Sequence, residues 1–365
     1  MDDIVERVKQ ANRIEDVIEE SGTPLQRHHG RYLRSSDADQ SSLVIDTFRQ
    51  TYSWNSKSEI SCDVIQWVMN RRGLDFKTAV EELARRSRLP EPKWSKETQV
   101  ARLAARVREE CFGMAQRWFQ KALWADPAAT EYVRGRGWTD ETIRESGIGF
   151  TGRGTEAELK DLRGDLSMNG VELDSPQAVA ILGWRGDVKA WGAKWGIELR
   201  SQAQWIDWGF IPGLVGKTRI VYPHVVMGRV RQFSSRNILG AEINSEGQEV
   251  KAYNLPVVLA GERQLFFNHV YRMNAEECVV VEGQADAITL GQWGLAAAAL
   301  AGTAWKDHET ALGELRKRHE QIYIGLDGDE AGEQALLGKR SEWPLVKIFG
   351  PLARIIRWTN MEAHE

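Results

Sequence analysis

The chain has 365 residues, 42% of them hydrophobic and 27% charged, which is room for two or three ordinary globular domains. A formal net charge of -4 excludes a globally basic nucleic-acid binder, so any such binding must come from a local patch. Cys62, Cys111 and Cys278 form no CxxC pair and suggest no disulfide framework. MDDIVERVKQ has no apolar signal core, and the longest apolar run, LAAAALA at 295–301, is too short to cross a bilayer. These features predict a cytoplasmic protein with no membrane partner.

Residues 1–90 read as one small unit. IVERVKQANRIEDVIEESG carries Ile4, Val8, Ala11, Ile14, Val17 and Ile18 at helical spacing, and Gly22 and Pro24 stop it. GRYLRSSDADQSSLVIDTFRQTYSW is strand-like with polar turns, and His28-His29 falls in a polar turn. CDVIQWVMNRRG and LDFKTAVEELARRSRL predict two helices, closed by Pro90 and Pro92. Residues 91–130 are a helical connector centred on VARLAARVREECFGMAQRWFQKALW, ended by Asp126-Pro127. Residues 131–275 have a mixed pattern. Within them RIVYPHVV and RVRQFSS flank Met227-Gly228 as a hairpin. Residues 276–365 alternate strand and helix. CVVVEG, LAAAALAG and IYIGL predict strands, the intervening segments predict helices, and LVKIFGPLARIIRW predicts the last strand or strands. Such alternation with short loops predicts an α/β fold around a parallel sheet covered on both faces.

Ligands of open parallel sheets gather beyond the carboxyl ends of the strands. Two ends here carry acids. Glu282 follows CVVV directly, with Asp286 one helical turn later, and Asp327 and Asp329 follow IYIGL. If these strands are neighbours, the carboxylates converge. Oxygen ligands in that number suit Mg²⁺ or Mn²⁺ bridging to phosphate oxygens, the arrangement of phosphoryl transfer. Glu282 serves either as a ligand or as a general base on this reading. The simpler alternative is that Glu282 and Asp329 are acids favoured in helix first turns. Glu330 is expected to point out of the crevice at the start of the next helix.

From Phe210 to Ala241 there is no acid, whereas Lys217, Arg219, Arg229, Arg231 and Arg236 lie within the stretch and Lys251 follows. Arg229 and Arg231 project from one face of a strand by the period of two. Such a ribbon suits a template phosphate backbone; its alternative is a salt-bridged surface. Trp184, Trp191, Trp195, Trp205 and Trp208 crowd one segment, either as core or as surfaces for base stacking. GIGFTG at 147–152 matches a dinucleotide fingerprint without its context, and GKT at 216–218 lacks the P-loop glycine, Ile211 standing in its place.

VVVEGQADAITL, GTAW and IGLDGDEAGEQA resemble the TOPRIM domain of bacterial DnaG-type primases, topoisomerases and some nucleases. YVRGRGWTDETIRESGIGF, TRIVYPHVVMGRVRQFSSRNI and KAYNLP resemble the primase polymerase domain and its basic subdomain. The helix order of residues 4–90 resembles the primase zinc-ribbon domain. The resemblance implies a TOPRIM sheet flanked by helices at 276–365, preceded by a mixed basic subdomain at 131–275 and a small zinc-ribbon-like domain at 1–90. It implies an enzyme, a DNA primase making RNA primers on single-stranded DNA from ribonucleoside triphosphates, with a replicative helicase as a further partner and a nucleoid-associated location.

Glu282, Asp286, Asp327 and Asp329 would hold Mg²⁺ or Mn²⁺, with Glu282, Asp327 and Asp329 catalytic. Arg219, Arg236, Lys251 and Asn254 would contact template or nucleotide, beside Arg229 and Arg231. Where the family has zinc ligands, Ser36, Asp39 and the Trp54–Ser58 region stand, and Cys62 alone cannot hold zinc, so no zinc is expected. The family's further acidic cluster has only Glu362 and Glu365 as counterparts in the closing TNMEAHE, and its helicase-binding tail has no counterpart. A TOPRIM nuclease and an inactive replisome adaptor are the alternatives.

Overall fold

In a computed structural model the described residues are 2–47, 50–57, 59–90, 96–199, 202–226, 229–240, 242–243, 249–250, 252–271, 275–301, 308–328, 330–337 and 344–356. The chain divides into two compact units, one built around residues 1–101, the other on 102–271 and the residues from 277 onward. No helix among the described residues is long and apolar enough to cross a membrane.

The first unit opens with α1 (Asp2–Ala11) and α2 (Ile14–Glu20). The single helical pattern of the sequence is broken between them. Arg13 is extended, and the buried Asn12 amide donates to the carbonyls of Val8 at 2.8 Å and Leu83 at 3.1 Å. A five-stranded antiparallel sheet follows in simple order, β1 (Leu25–His29), β2 (Tyr32–Ser35), β3 (Leu43–Asp46), β4 (Thr51–Trp54) and β5 (Glu59–Cys62). His28 and His29 lie on the exposed β1 strand rather than in a turn. Helices α3 (Val64–Arg72) and α4 (Phe76–Arg86) start at Asp63 and Asp75, whose carboxylates accept from the backbone amides three residues on.

An aromatic cluster holds the sheet to α3. Trp54 stacks on Trp67 at 5.9 Å, and Tyr52 meets Trp67 edge-on at 5.0 Å. The Arg71 guanidinium lies over both indoles, while Tyr52 and Arg71 both donate to Glu59. Near the positions of the resembled zinc ligands, Asp37 accepts from the Asp39 amide, and Ser42 and Ser56 are hydrogen-bonded at 2.8 Å.

Helix α5 (Lys96–Ala125) is followed by α6 (Pro127–Arg134), α7 (Asp140–Glu145), β6 (Gly149–Phe150), α8 (Glu156–Met168) and α9 (Pro176–Leu182). Then come β7 (Trp184–Arg185), α10 (Val188–Trp195), α11 (Ala203–Trp208) and β8 (Phe210–Ile211). The tryptophan-rich segment is mainly core, with Trp191 and Trp205 buried; Trp208 is exposed and stacked on Phe210. Strands β9 (Arg219–Val226) and β10 (Arg229–Asn237) pair antiparallel across residues 227–228. β11 (Glu242–Ile243) pairs with β12 (Glu249–Val250), and β13 (Ala252–Asn254) completes a sheet of order β13-β10-β9-β6 before α12 (Val257–Ala260). This sheet lies against α5 through Phe112, Phe119 and Phe233.

The last sheet has the order β14-β16-β15-β17-β18, from β14 (Phe266–Phe267), β15 (Glu277–Val281), β16 (Ala297–Ala299), β17 (Gln321–Gly325) and β18 (Ala353–Ile355). β14 is antiparallel to its neighbour and the other pairings are parallel. Side chains alternate between two cores. Val279 and Val281 pack with α13 (Gln284–Gln292), whereas Cys278, Val280, Ile322 and Ile324 pack with α14 (Glu309–Arg318), α15 (Glu330–Leu337) and α16 (Leu345–Phe349). Burial on both faces explains the apolar runs 278–281 and 324–326. Leu345–Phe349, expected as strand, is helical. Pro344 caps it, Gly350 ends it at φ 58°, and Leu345 and Phe349 are buried one turn apart.

Thr218 enters β9 at φ 54°, a left-handed conformation that a β-branched residue adopts at a cost of roughly 1–2 kcal/mol. Thr218→Gly should therefore raise stability by roughly 0.5–1 kcal/mol after the extra flexibility of glycine is counted, seen as a higher urea midpoint at unchanged slope.

Candidate functional site

The parallel pairing of β15 with β17 places Val281 opposite Gly325. Glu282 and Leu326-Asp327 therefore leave the sheet side by side. Glu282 is half-buried and Asp327 exposed. Asp286 lies in the first turn of α13, whose cap is Gly283. A Cβ at Gly283 would lie 2.6 Å from Asp286 Oδ2, so glycine lets the carboxylate fold back over the turn. Packing around the Asp286 carboxyl, and then the Asp327 charge, raise its pKa above the ordinary carboxylate value. The two strand ends thus feel one another electrostatically.

Gly332 explains the spacing behind Asp327. A Cβ there would lie 2.1 Å from the Asp327 carbonyl oxygen, so α15 closes onto the Asp327 backbone only with glycine at this position. Glu330 begins α15. The Glu330 side chain and Asp329 lie outside the described residues, as does Lys251. Among the described residues no three His, Cys, Asp or Glu side chains form a ready metal cage.

A crevice of about 410 Å³ opens beside the acids, lined by Asp286, Asp327 and Gly328 at one end and by Leu290 and Trp293 along α13. α13 is held by the segment that joins α6 to α7. The Trp138 indole donates to Thr289 at 3.0 Å, and Gln292 exchanges hydrogen bonds with Gly137 and Thr139. Arg136, in the same segment, donates to the Tyr132 hydroxyl at 2.8 Å and lies over the Trp138 ring at 5.6 Å. Its positive charge lowers the Asp286 pKa, opposing the larger effects of burial and Asp327. Arg136 was not among the expected site residues. It lies within YVRGRGW, and nothing in its spacing separates it from other helix-end arginines.

The basic hairpin divides its charges. Arg219 is buried, its guanidinium over the Tyr253 ring at 5.1 Å. Arg236 lies close enough to the buried Tyr222 to oppose the rise of its pKa, which burial takes to about 12; Arg136 acts the same way and Asp286 the opposite way. Tyr222, Arg136, Arg236 and Asp286 are therefore electrostatic neighbours. Asn254 donates to the Ala301 carbonyl at 3.1 Å, tying β13 to the end of β16. Arg229 and Arg231 share a side of β10, and both ion-pair with Glu109 of α5. Their charge is answered within the protein, matching the salt-bridged alternative.

The Toprim-like family model matches residues 279–342, which contain both acidic strand ends. The DNA primase of Pseudomonas putida KT2440 is 27% identical over 282 residues, covering 75% of this chain and 38% of that protein. The DNA primase of Rickettsia bellii is 25% identical over 331 residues, covering 88% of this chain and 49% of the relative. Over most of its length the chain is thus similar to bacterial DNA primases. It spans less than half the length of these curated relatives. Among solved structures, the zinc-binding and RNA polymerase domains of Aquifex aeolicus primase align at 20% identity and a TM-score of 0.42, over 91% of this chain and 74% of that one. The RNA polymerase domain of Mycobacterium tuberculosis primase DnaG aligns at 19% identity and 0.44, over 68% and 75%. The primase matches give no support to the nuclease or adaptor alternatives.

Two outcomes follow for this site. Gly332→Ala should force α15 off the Asp327 backbone, destabilising the protein by about 1–3 kcal/mol in chemical denaturation. The second concerns pH. Asp286 has a folded pKa above its unfolded one, so the folded state binds more protons between the two values, and stability falls as pH rises through that window. Asp286→Asn removes this penalty. In metal-free buffer it should melt at a higher temperature than wild type at pH 7, with the gap closing as pH is lowered towards the ordinary carboxylate pKa.

Proposed function

We propose that this chain carries out metal-dependent nucleotidyl transfer, joining ribonucleotides into short primers on a single-stranded DNA template. The observation that carries the reading is the convergence of Glu282 and Asp327 from paired parallel strands, with Asp286 beside them. The similarity to bacterial DNA primases supports the substrate class. A helicase partner rests on the family resemblance alone.

The donor set fits a hard divalent ion. Mg²⁺ and Mn²⁺ keep several waters and bind through one or two carboxylates plus substrate phosphates, so an open arrangement suits them where a closed cage does not. Glu282, Asp327 and Asp329 would hold the ion, with Asp286 sharing it or supporting it from behind. The bound ion would supply Lewis acidity at the attacking and departing oxygens. Crowding of Asp286 against Asp327 favours the approach of a cation, which relieves the repulsion.

Arg136, whose charge reaches Asp286, and Arg236, whose charge reaches Tyr222, would steady the triphosphate or template. Arg219 and Asn254 would add contacts from β9 and β13, Lys251 is proposed for the same role from its sequence position alone, and Arg229 and Arg231 would contribute only where a phosphate displaces Glu109.

The test is primer synthesis on single-stranded DNA with labelled ribonucleotides and each metal in turn. Wild type should give short RNA products. Asp327→Asn should lower the yield by about 10²-fold or more, as expected when charge stabilisation in the transition state is lost. Absence of product with either metal, or full activity in Asp327→Asn, would overturn the reading.

A further inference from the structure

Three buried or half-buried side chains form a directional hydrogen-bond chain that ends beside Glu282. His224 of β9 is 1% exposed. Its Nδ1 lies 2.7 Å from the Gln264 carbonyl oxygen, which can only accept, so Nδ1 carries the proton. Burial holds the ring neutral, its pKa depressed to about 4. Nε2 is then an acceptor, and the Ser234 hydroxyl donates to it at 2.9 Å. The Ser234 oxygen in turn accepts from Gln284 Nε2 at 2.7 Å. Every polarity in the chain is thereby set from one carbonyl.

Gln284 opens α13, two residues after Glu282, and the Gly283 cap offers no side chain to anchor the helix start. The Gln284 amide links this turn to the β9–β10 hairpin. Ser234 is itself 2% exposed, a position where a hydroxyl is tolerated only if it is bonded. The rest of α13 is pinned elsewhere, by Asn268 to the Ala287 carbonyl and by Trp138 to Thr289.

We propose that Gln284, clamped by Ser234 and His224, is a positioning residue that fixes the Glu282–Gly283 turn so that Glu282 meets a divalent metal. This rests on the metal reading given above. The residues act through the turn and not by touching the metal, as partners behind metal ligands do, where substitutions typically cost about 10–100-fold in affinity.

The experiment is Mn²⁺ titration of the full chain followed by electron paramagnetic resonance, well below the melting temperature of each variant. Ser234→Ala and Gln284→Ala should each weaken Mn²⁺ binding by about tenfold. The double variant should be no weaker than either single one, because both cut the same chain. Ser234→Thr, which keeps the hydroxyl, should bind like wild type. Gln284 is half-buried at a helix start, so its variant keeps the test available if Ser234→Ala does not fold. Wild-type affinity in Gln284→Ala, or additive losses in the double variant, would overturn the proposal. No Mn²⁺ binding by wild type would instead overturn the metal reading, and this inference with it.

Discussion

The parallel pairing of β15 with β17 is the constraint on which the site depends. The two strands are 40 residues apart in sequence, and their register alone makes Glu282 a neighbour of Asp327. The carboxyl-terminal halves of these strands are buried and apolar, so the acids sit just beyond them. There the Asp286 carboxyl is held above its ordinary pKa, first by the packing around it and then by the Asp327 charge. Repulsion of this kind is a store of affinity for cations.

Around that centre the second unit arranges its charges by reach. The face of the β9–β10 hairpin carrying Tyr222, Ser234 and Arg236 looks towards α13, and Ser234 bonds to it directly. Near the hairpin turn, Arg229 and Arg231 meet Glu109 instead. Arg136, from the loop after α6 and steadied by Tyr132 and Trp138, brings positive charge within reach of Asp286, and Arg236 brings it within reach of Tyr222. Glycines 283 and 332 let backbone and carboxylates approach where any side chain would intervene.

Much of this was legible in the sequence. Apolar runs ending in acids identified the two strand ends, and flanking alternation of strand and helix identified the parallel sheet. What was not legible depends on contacts distant in sequence. The helix at Leu345–Phe349 reads as strand by composition and is helical because Pro344, Gly350 and two buried anchors define one turn. The break at Asn12 arises from a bond to Leu83, 71 residues away. Arg136 and the His224–Ser234–Gln284 chain carry no motif of their own; only the register of β9 on β10 and the seat of α13 bring them to the acids. The tryptophans divide as packing dictates, with Trp191 and Trp205 in the core and Trp208 outside it.

The central claim is that the two acidic strand ends form one divalent-metal site. Anomalous X-ray diffraction from crystals soaked in Mn²⁺ tests it most directly. The account predicts an anomalous peak between the carboxylates of Glu282 and Asp327, lost in Asp327→Asn. A peak elsewhere with none at these carboxylates, or no peak at a concentration that saturates binding in solution, would contradict it.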